Sequence, residues 1–203
     1  MSDKKVTPRT QPNQTAPAEE TCKKCAKKKQ WMYIGGAVLA AALVLLLIFG
    51  IRTPRSTARK ALKAFEKGNA TTIMQLLPKA YKDAFYGDTA AQEQFQQNMQ
   101  DHLDKELAEM ETYGLSVKFK VIGVNKLNGD ALKSVQSKYT RYNAEVKAAK
   151  EITVKATLND NGEKYHKEFT ITIVSISGNW YLDYNSIYHI LQYIESPTST
   201  FLH

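Results

Sequence analysis

Cysteine is scarce in this chain: its 203 residues include two, Cys22 and Cys25, spaced C-x-x-C within a lysine-rich stretch. Two thiolates supply half of a tetrahedral zinc site, so one chain cannot close such a site with cysteines, and zinc would require two tails to dimerise. A redox role requires a folded βαβ setting around the motif, which the neighbouring sequence does not predict. A metal half-site, a redox pair and an inert remnant stay open, and we expect no cofactor other than zinc held by paired tails.

Sequence motifs of several enzyme classes are also missing. The chain contains no glycine-rich phosphate loop, no His-Glu-x-x-His helix and no Gly-x-Ser-x-Gly elbow. Each of these patterns places phosphate-binding amides, metal ligands or a nucleophile in a defined geometry. Without them the sequence carries no signal for nucleotide hydrolysis, zinc proteolysis or serine hydrolysis, and we expect a protein that is not an enzyme.

Positive charge is unevenly distributed, although the net charge of the chain is +8. Residues 1–31 hold eight Lys or Arg against three Asp or Glu, whereas residues 53–203 hold nineteen against seventeen. A domain that binds nucleic acid concentrates basic side chains on its folded surface. Most of the excess lies in the first segment instead, so we expect no nucleic-acid partner.

Charge is absent altogether from residues 32–51, which form a long apolar run. Twenty residues at a rise of about 1.5 Å reach about 30 Å, the thickness of the hydrocarbon core of a bilayer. Trp31 and Tyr33 stand at the start of the run, where aromatic rings favour the membrane interface. The run predicts a single transmembrane helix, and the membrane is therefore an expected partner.

Charge alone does not give the orientation of this segment, because five Lys or Arg lie within fifteen residues of the run on each side. The amino-terminal lysines form a compact cluster, and long carboxy-terminal domains cross the membrane largely regardless of charge. We therefore predict a disordered, basic cytoplasmic tail over residues 1–31, a spanning helix over 32–51 and an extracytoplasmic domain over 52–203. The expected location is the cell membrane, with a single pass.

Hydrophobic spacing after the apolar run predicts helices. Thr53 and Pro54 are typical of a helix start, an apolar i, i+3, i+4, i+7 face follows, and Gly68 ends the helix. A second helix begins after Asn69 and must be kinked or split at Pro78, because proline lacks the amide donor. A longer helix covers about residues 90–113.

After these helices the apolar residues recur at every second position, which predicts strands. Alternation begins at Leu115, and a register shift at 122–124 indicates a bulge. A short helix begins near Asn128, and Asn161-Gly162 joins two alternating runs as a hairpin. A strand over 180–184 and a last helix over 187–194 follow. Helices followed by antiparallel strands predict an α+β domain in which the first helices pack on a curved antiparallel sheet.

Two stretches resemble a known family. TPRSTARKALKAFEKGNATTIMQLLP resembles the first helices of small extracytoplasmic domains of Gram-positive bacteria, and EITVKATLNDNGEKYHKEFTITIVSISGNWYLDYNS is similar to their terminal strands. These domains belong to the nuclear transport factor 2-like, cystatin-like cone superfamily, and the resemblance covers roughly residues 53–195. It implies a cone with room for an internal cavity. It implies no single activity, because the superfamily hosts enzymes, binding modules and scaffolds.

Acidic residues and one histidine are candidates for acid–base chemistry. Asp101, His102 and Asp104 lie within four residues, but helical spacing predicts a solvated helix edge for them. A carboxylate in an apolar pocket can act as a general base, which makes Asp183 a candidate. Alternation along residues 180–183 instead predicts that its side chain faces outward or caps the last helix.

Tyrosines are numerous in the second half of the domain, and tyrosine is common at binding interfaces. Four of them are candidates for a pocket or interface, namely Tyr139, Tyr142, Tyr184 and Tyr188. Asp183 is a fifth candidate for the same site. Tyr193 could extend such a groove. Packing of these rings in the core and its rim is an equal alternative.

Three functions are compatible with this organisation. The first is a non-enzymatic binding or scaffold module at the cell envelope that recognises a protein or a cell-wall component. The second is a scaffold subunit of a secretion or conjugation apparatus, because the inner-membrane scaffold of type IV secretion systems shares the order of short tail, single helix and nuclear transport factor 2-like domain. The third is a small-molecule enzyme of the ketosteroid isomerase type. A cavity lined by an inward Asp183 or His102 would favour the third, whereas a cone filled by Phe95, Trp180 and Ile173, with no acid inside it, would exclude the third.

Overall fold

The computed structural model describes residues 52–202, so the predicted tail, the apolar run and both cysteines lie outside the described residues. The described chain begins with four helices, which are α1 (Pro54–Glu66), α2 (Ala70–Leu76), α3 (Lys79–Tyr86) and α4 (Thr89–Thr112). It continues through β1 (Leu115–Lys126), α5 (Gly129–Thr140), β2 (Val146–Asp160), β3 (Glu163–Ile176), β4 (Asn179–Leu182), α6 (Asn185–Glu195) and α7 (Pro197–Leu202). Of the helices in this described part, none combines the length and the apolar character that a membrane span requires.

The helix boundaries follow the predicted capping residues. The Thr53 hydroxyl accepts the Ser56 N–H at 3.1 Å, and the Asn69 side chain accepts the Thr72 N–H at 2.8 Å. Each of these bonds satisfies one of the amide donors that the first turn of a helix leaves free. Pro78 stands between α2 and α3, so the expected split at this proline is confirmed.

The four strands form one curled antiparallel sheet in the order β1-β2-β3-β4. Asp160 pairs with Glu163, and the two residues between them, Asn161 and Gly162, have φ of 49° and 101°. These positive φ values are those of the tight hairpin that an Asn-Gly pair predicts. The predicted bulge in β1 is also present, as a register shift between Val121 and Gly123.

The core lies between the helices and one face of the sheet. α1 packs against β1, β3 and β4, and it contributes Ala58, Ala61, Leu62 and Phe65 to the core. The sheet contributes alternate apolar residues, among them Ile152, Val154, Ala156, Ile171, Ile173 and Leu182. The predicted α+β class, with helices packed on a curved antiparallel sheet, is therefore confirmed. Of the three residues whose packing would fill a cone and exclude an enzyme, Ile173 is buried, whereas Phe95 and Trp180 are half-buried.

Candidate functional site

Aromatic rings from α3, α4, α5 and the start of α6 meet in one place. Tyr81 of α3 is central: its ring stacks on Tyr184 at a centroid distance of 4.5 Å and meets the edge of Tyr142 at 5.3 Å. We call the whole group the aromatic cluster, and its members are Tyr81, Phe85, Tyr86, Phe95, Tyr139, Tyr142 and Tyr184. Offset stacks and edge-to-face pairs of this kind each contribute about 0.5–1.5 kcal/mol beyond burial.

The structure brings together three of the predicted tyrosines, namely Tyr139, Tyr142 and Tyr184. Tyr193 does not join them, because it packs in a separate group with Phe169 at 4.4 Å and with Phe119 at 6.3 Å. The sequence does not predict the contribution of α3 and α4 to this cluster. Its signal there is the apolar face of the second predicted helix, which is equally typical of core packing.

A groove opens beside the aromatic cluster, between α3, α4 and α6, with a volume of about 240 Å³. We call it the aromatic groove, and its lining residues are Tyr81, Tyr86, Phe95, Asn98, Met99, His102, Tyr184, Ile187, Tyr188 and Leu191. Tyr188 stands at the surface with 67% of its area exposed. Most of the lining is aromatic or aliphatic, so the groove favours an apolar group with few hydrogen bonds.

Asp183 lies beneath this site and not at the surface. Asp183 is 5% exposed, so the expectation of an outward carboxylate is wrong. The reason is that β4 ends at Leu182, and the alternation of a strand does not extend past its last residue. The main chain turns there toward α6, and the Asp183 carboxylate accepts a hydrogen bond of 2.9 Å from the hydroxyl of fully buried Tyr139. The alternative of a helix cap agrees with the hydrogen bond that the carboxylate accepts from the Asn185 N–H at the start of α6.

Burial determines the electrostatics of this buried pair. It raises the pKa of the Asp183 carboxyl, because the apolar surroundings disfavour its charged form. The hydrogen bond from Tyr139, the nearby Lys138 and the Asn185 N–H act in the opposite direction. The pKa of Tyr139 is also raised, first by burial and then by Asp183. The pair therefore holds its phenolic proton on Tyr139, and Asp183 is the acceptor.

His102 connects α4 to α6 at one end of the aromatic groove. Its Nε2 lies 2.8 Å from Oε1 of Glu195, and its Nδ1 lies 3.9 Å from Oε1 of Glu106. Asp101 and Asp104 are exposed, as the predicted solvated edge requires. His102 is exposed as well, but it also has a partner on a distant helix, which spacing along one helix could not indicate.

A second, wider groove has a volume of about 590 Å³, and its lining includes the two glutamates near His102. Its lining includes four carboxylates, on Glu106, Glu109, Asp160 and Glu195. Within residues 52–202, no three His, Cys, Asp or Glu are placed to hold a metal ion. Cys22 and Cys25 lie outside the described residues, so zinc bound by paired tails stays a prediction.

Comparisons with known proteins assign no family. No family model matches the chain, and no curated protein matches it. Among solved structures, the chain is similar to the intermembrane space region of the chloroplast protein ARC6, with 12% identity over 64% of this chain and 93% of that chain. The TM-score is 0.23, a value at which the similarity indicates neither a shared fold nor a shared function.

Proposed function

We propose that this protein is a membrane-anchored, non-enzymatic binding module of the cell envelope, whose aromatic groove receives an apolar segment of a partner protein. The aromatic groove is the observation that carries the proposal. Aromatic side chains are enriched where proteins bind one another, because they bury a large area and lose little conformational entropy. The further proposal of a nuclear transport factor 2-like cone is supported by the order of helices before a curled antiparallel sheet.

The chemistry of the groove favours a protein segment over a sugar or a small molecule. Polysaccharide recognition requires several accessible polar groups for the sugar hydroxyls. The polar groups of this lining are on Asn98, His102 and four tyrosines, but most of its accessible area is apolar. Its volume of about 240 Å³ lies below the range of about 300–1,000 Å³ that is typical of small-molecule sites. A groove of this size accommodates one or two apolar side chains, in the way that an amphipathic helix places its anchors.

Site-specific photo-crosslinking in native membranes tests the partner. A photoreactive phenylalanine analogue in place of Tyr188 should form a protease-sensitive adduct with a partner protein. The same analogue at Tyr113 is the control, because Tyr113 is 64% exposed and lines the wider groove and not the aromatic groove. We expect an adduct at position 188 and not at position 113.

Filling the groove should abolish that adduct. Asn98→Trp places a large ring into the groove, whereas Gln97→Trp places the same ring at the exposed neighbouring position, which does not line it. We expect loss of the adduct in the first variant and retention in the second. Equal adducts at positions 188 and 113, or retention with Asn98→Trp, would contradict the proposal. An adduct that a cell-wall hydrolase releases would assign the groove to a wall component instead.

Membrane topology is a separate part of the proposal. We propose a cytoplasmic residue 1 and an extracytoplasmic residue 203, on the basis of the apolar run over 32–51. Each terminus is fused in turn to a reporter that is active only in the cytoplasm and to one that is active only outside it. The amino-terminal fusion should be active with the cytoplasmic reporter and the carboxy-terminal fusion with the other. Reversed signals would place the domain in the cytoplasm, and signals of the same sign at both ends would remove the single span.

The two alternative functions differ in their support. A secretion or conjugation scaffold predicts that the crosslinked partner is another subunit of that apparatus, so the same experiment decides it. An isomerase-type enzyme is favoured by the buried position of Asp183. However, Asp183 is not among the lining residues of the aromatic groove, and its carboxylate is bonded to Tyr139. A general base has to reach its substrate, so we place this alternative behind the binding module.

A further inference from the structure

The outer face of α1 carries a row of basic side chains. Arg55, Arg59 and Lys63 recur every four residues, Lys67 continues this spacing as the C-cap residue of α1, and Lys60 lies beside them. All five are exposed, whereas the opposite side of α1 is buried against the sheet. Residues at i and i+4 lie on one side of a helix, so these charges form a single stripe. We call the five residues the basic face.

The basic face is not neutralised by its surroundings. Within the described residues, none of its five side chains has a carboxylate at ion-pair distance. The single acidic residue of α1, Glu66, accepts the Phe119 N–H at 2.6 Å and is therefore directed to β1. Stretch 53–67 holds five Lys or Arg against one Glu, whereas residues 68–203 hold fourteen against sixteen Asp or Glu. Positive charge is thus a property of this helix and not of the domain.

The position of α1 in the chain suggests what this charge meets. α1 begins at Pro54, three positions after residue 51, the last of the apolar run. Three residues of extended chain reach at most about 11 Å. If residues 32–51 span a bilayer, the start of α1 stays close to its headgroups, where the Debye length is about 8–10 Å at ordinary ionic strength.

We propose that the basic face binds the anionic headgroups of the bilayer in which the apolar run is anchored. This inference rests on the proposed membrane anchor. Each Lys or Arg near an anionic surface strengthens attachment about fivefold, and the attraction decreases within one Debye length. The basic face adds a second attachment, which holds α1 along the membrane and limits the orientation of the domain.

A fluorescent probe on α1 of the full-length protein measures this attachment. Ser56 is exposed within the stripe, and Ser56→Cys can be labelled alone when Cys22→Ser and Cys25→Ser remove the other thiols. The labelled protein is reconstituted in phosphatidylcholine vesicles with or without phosphatidylglycerol, both containing a lipid with a spin-labelled headgroup that quenches the probe. We expect stronger quenching with phosphatidylglycerol and its loss in ~1 M salt, where the Debye length is about 3 Å.

Charge-removing variants identify the residues responsible. Arg59→Gln with Lys63→Gln and Lys67→Gln should weaken docking to phosphatidylglycerol about a hundredfold. Lys126→Gln with Lys147→Gln and Lys164→Gln removes the same charge from exposed positions on β1, β2 and β3, and it should leave the quenching unchanged. Equal effects of the two triple variants, or equal quenching in both vesicle types, would overturn the proposal.

Two further outcomes separate this inference from the anchor. Flotation of the protein together with the vesicles after an alkaline wash reports on residues 32–51. Retention of the protein under this wash requires insertion into the bilayer, and surface charge is not sufficient. Loss of flotation would contradict the anchor, whereas flotation with lipid-independent quenching would contradict the basic face alone. Loss of the quenching on addition of a single-stranded oligonucleotide, at a phosphate concentration equal to that of the phosphatidylglycerol, would make the basic face a nucleic-acid surface. This result would also overturn the lipid assignment.

Discussion

Replacement of Phe65 by alanine should lower the free energy of unfolding of the domain by about 3–5 kcal/mol, the usual cost of truncating a buried phenylalanine. Phe65 has no exposed area, and it lies on α1, the helix that packs against β1, β3 and β4. Its ring belongs to the core on which α1 packs against the sheet, so we expect truncation to leave a cavity there. Urea unfolding of the full-length protein in detergent, followed by far-UV circular dichroism, measures the loss.

Phe85→Ala is the matched control for this prediction. Phe85 is 61% exposed, and its ring contacts Tyr81 and Tyr86 at centroid distances of 5.3 Å each. Removal of the ring loses these two pairs and little burial, so we expect a loss of stability of about 1–3 kcal/mol, smaller than that of Phe65→Ala. If the two variants lost equal stability, α1 would not be packed on the sheet as the structure has it.

Much of this fold could be predicted, because its signals are local. Thr53, Asn69 and Pro78 act within one turn of their own position, and Asn161-Gly162 sets its hairpin through its own dihedral angles. Period-two alternation identifies the strands because one face of the sheet is buried. The order of helices and strands then limits the architecture to few choices.

The candidate site could be predicted less well, because its contacts join distant parts of the chain. Tyr81 and Tyr184 stack although α3 and the start of α6 lie at opposite ends of the domain sequence. The outward expectation for Asp183 extends the strand pattern one residue past the end of β4. Tyr139 lies on α5, and its hydrogen bond offsets part of the cost of burying the Asp183 carboxylate. No local sequence pattern indicates a hydrogen bond between residues so far apart in the chain.

Removal of the Tyr139 hydroxyl should destabilise the domain by about 1–3 kcal/mol at neutral pH, because it removes a side-chain hydrogen-bond donor from a buried carboxylate. Tyr139→Phe keeps the ring in the aromatic cluster, so packing with Tyr142 and Tyr184 is retained. The change therefore isolates the 2.9 Å bond to Asp183. Urea unfolding of the full-length protein across a pH series is the measurement.

The penalty of Tyr139→Phe should grow as the pH rises. Burial raises the native pKa of Asp183 above its ordinary value of 3.8. The contribution of Asp183 to the free energy of unfolding is therefore complete below pH 3.8 and is lost as the pH rises through the native pKa. Tyr139 limits that loss, because its hydrogen bond lowers the native pKa. Without the hydroxyl the native pKa rises further. The variant and the wild type should therefore be closest in stability in acid, where both carry a protonated Asp183, and furthest apart at neutral pH.

Asp183→Asn tests whether Asp183 is the group responsible. An amide accepts the Tyr139 hydrogen bond but has no proton to lose, so Tyr139→Phe in this background should cost the same free energy at every pH. The neutral amide also avoids burial of a charge, and the difference in stability between Asp183→Asn and the wild type should shift in favour of the variant as the pH rises. A pH-dependent penalty that persists in the Asp183→Asn background would show that the titrating group is not Asp183 and would contradict this prediction.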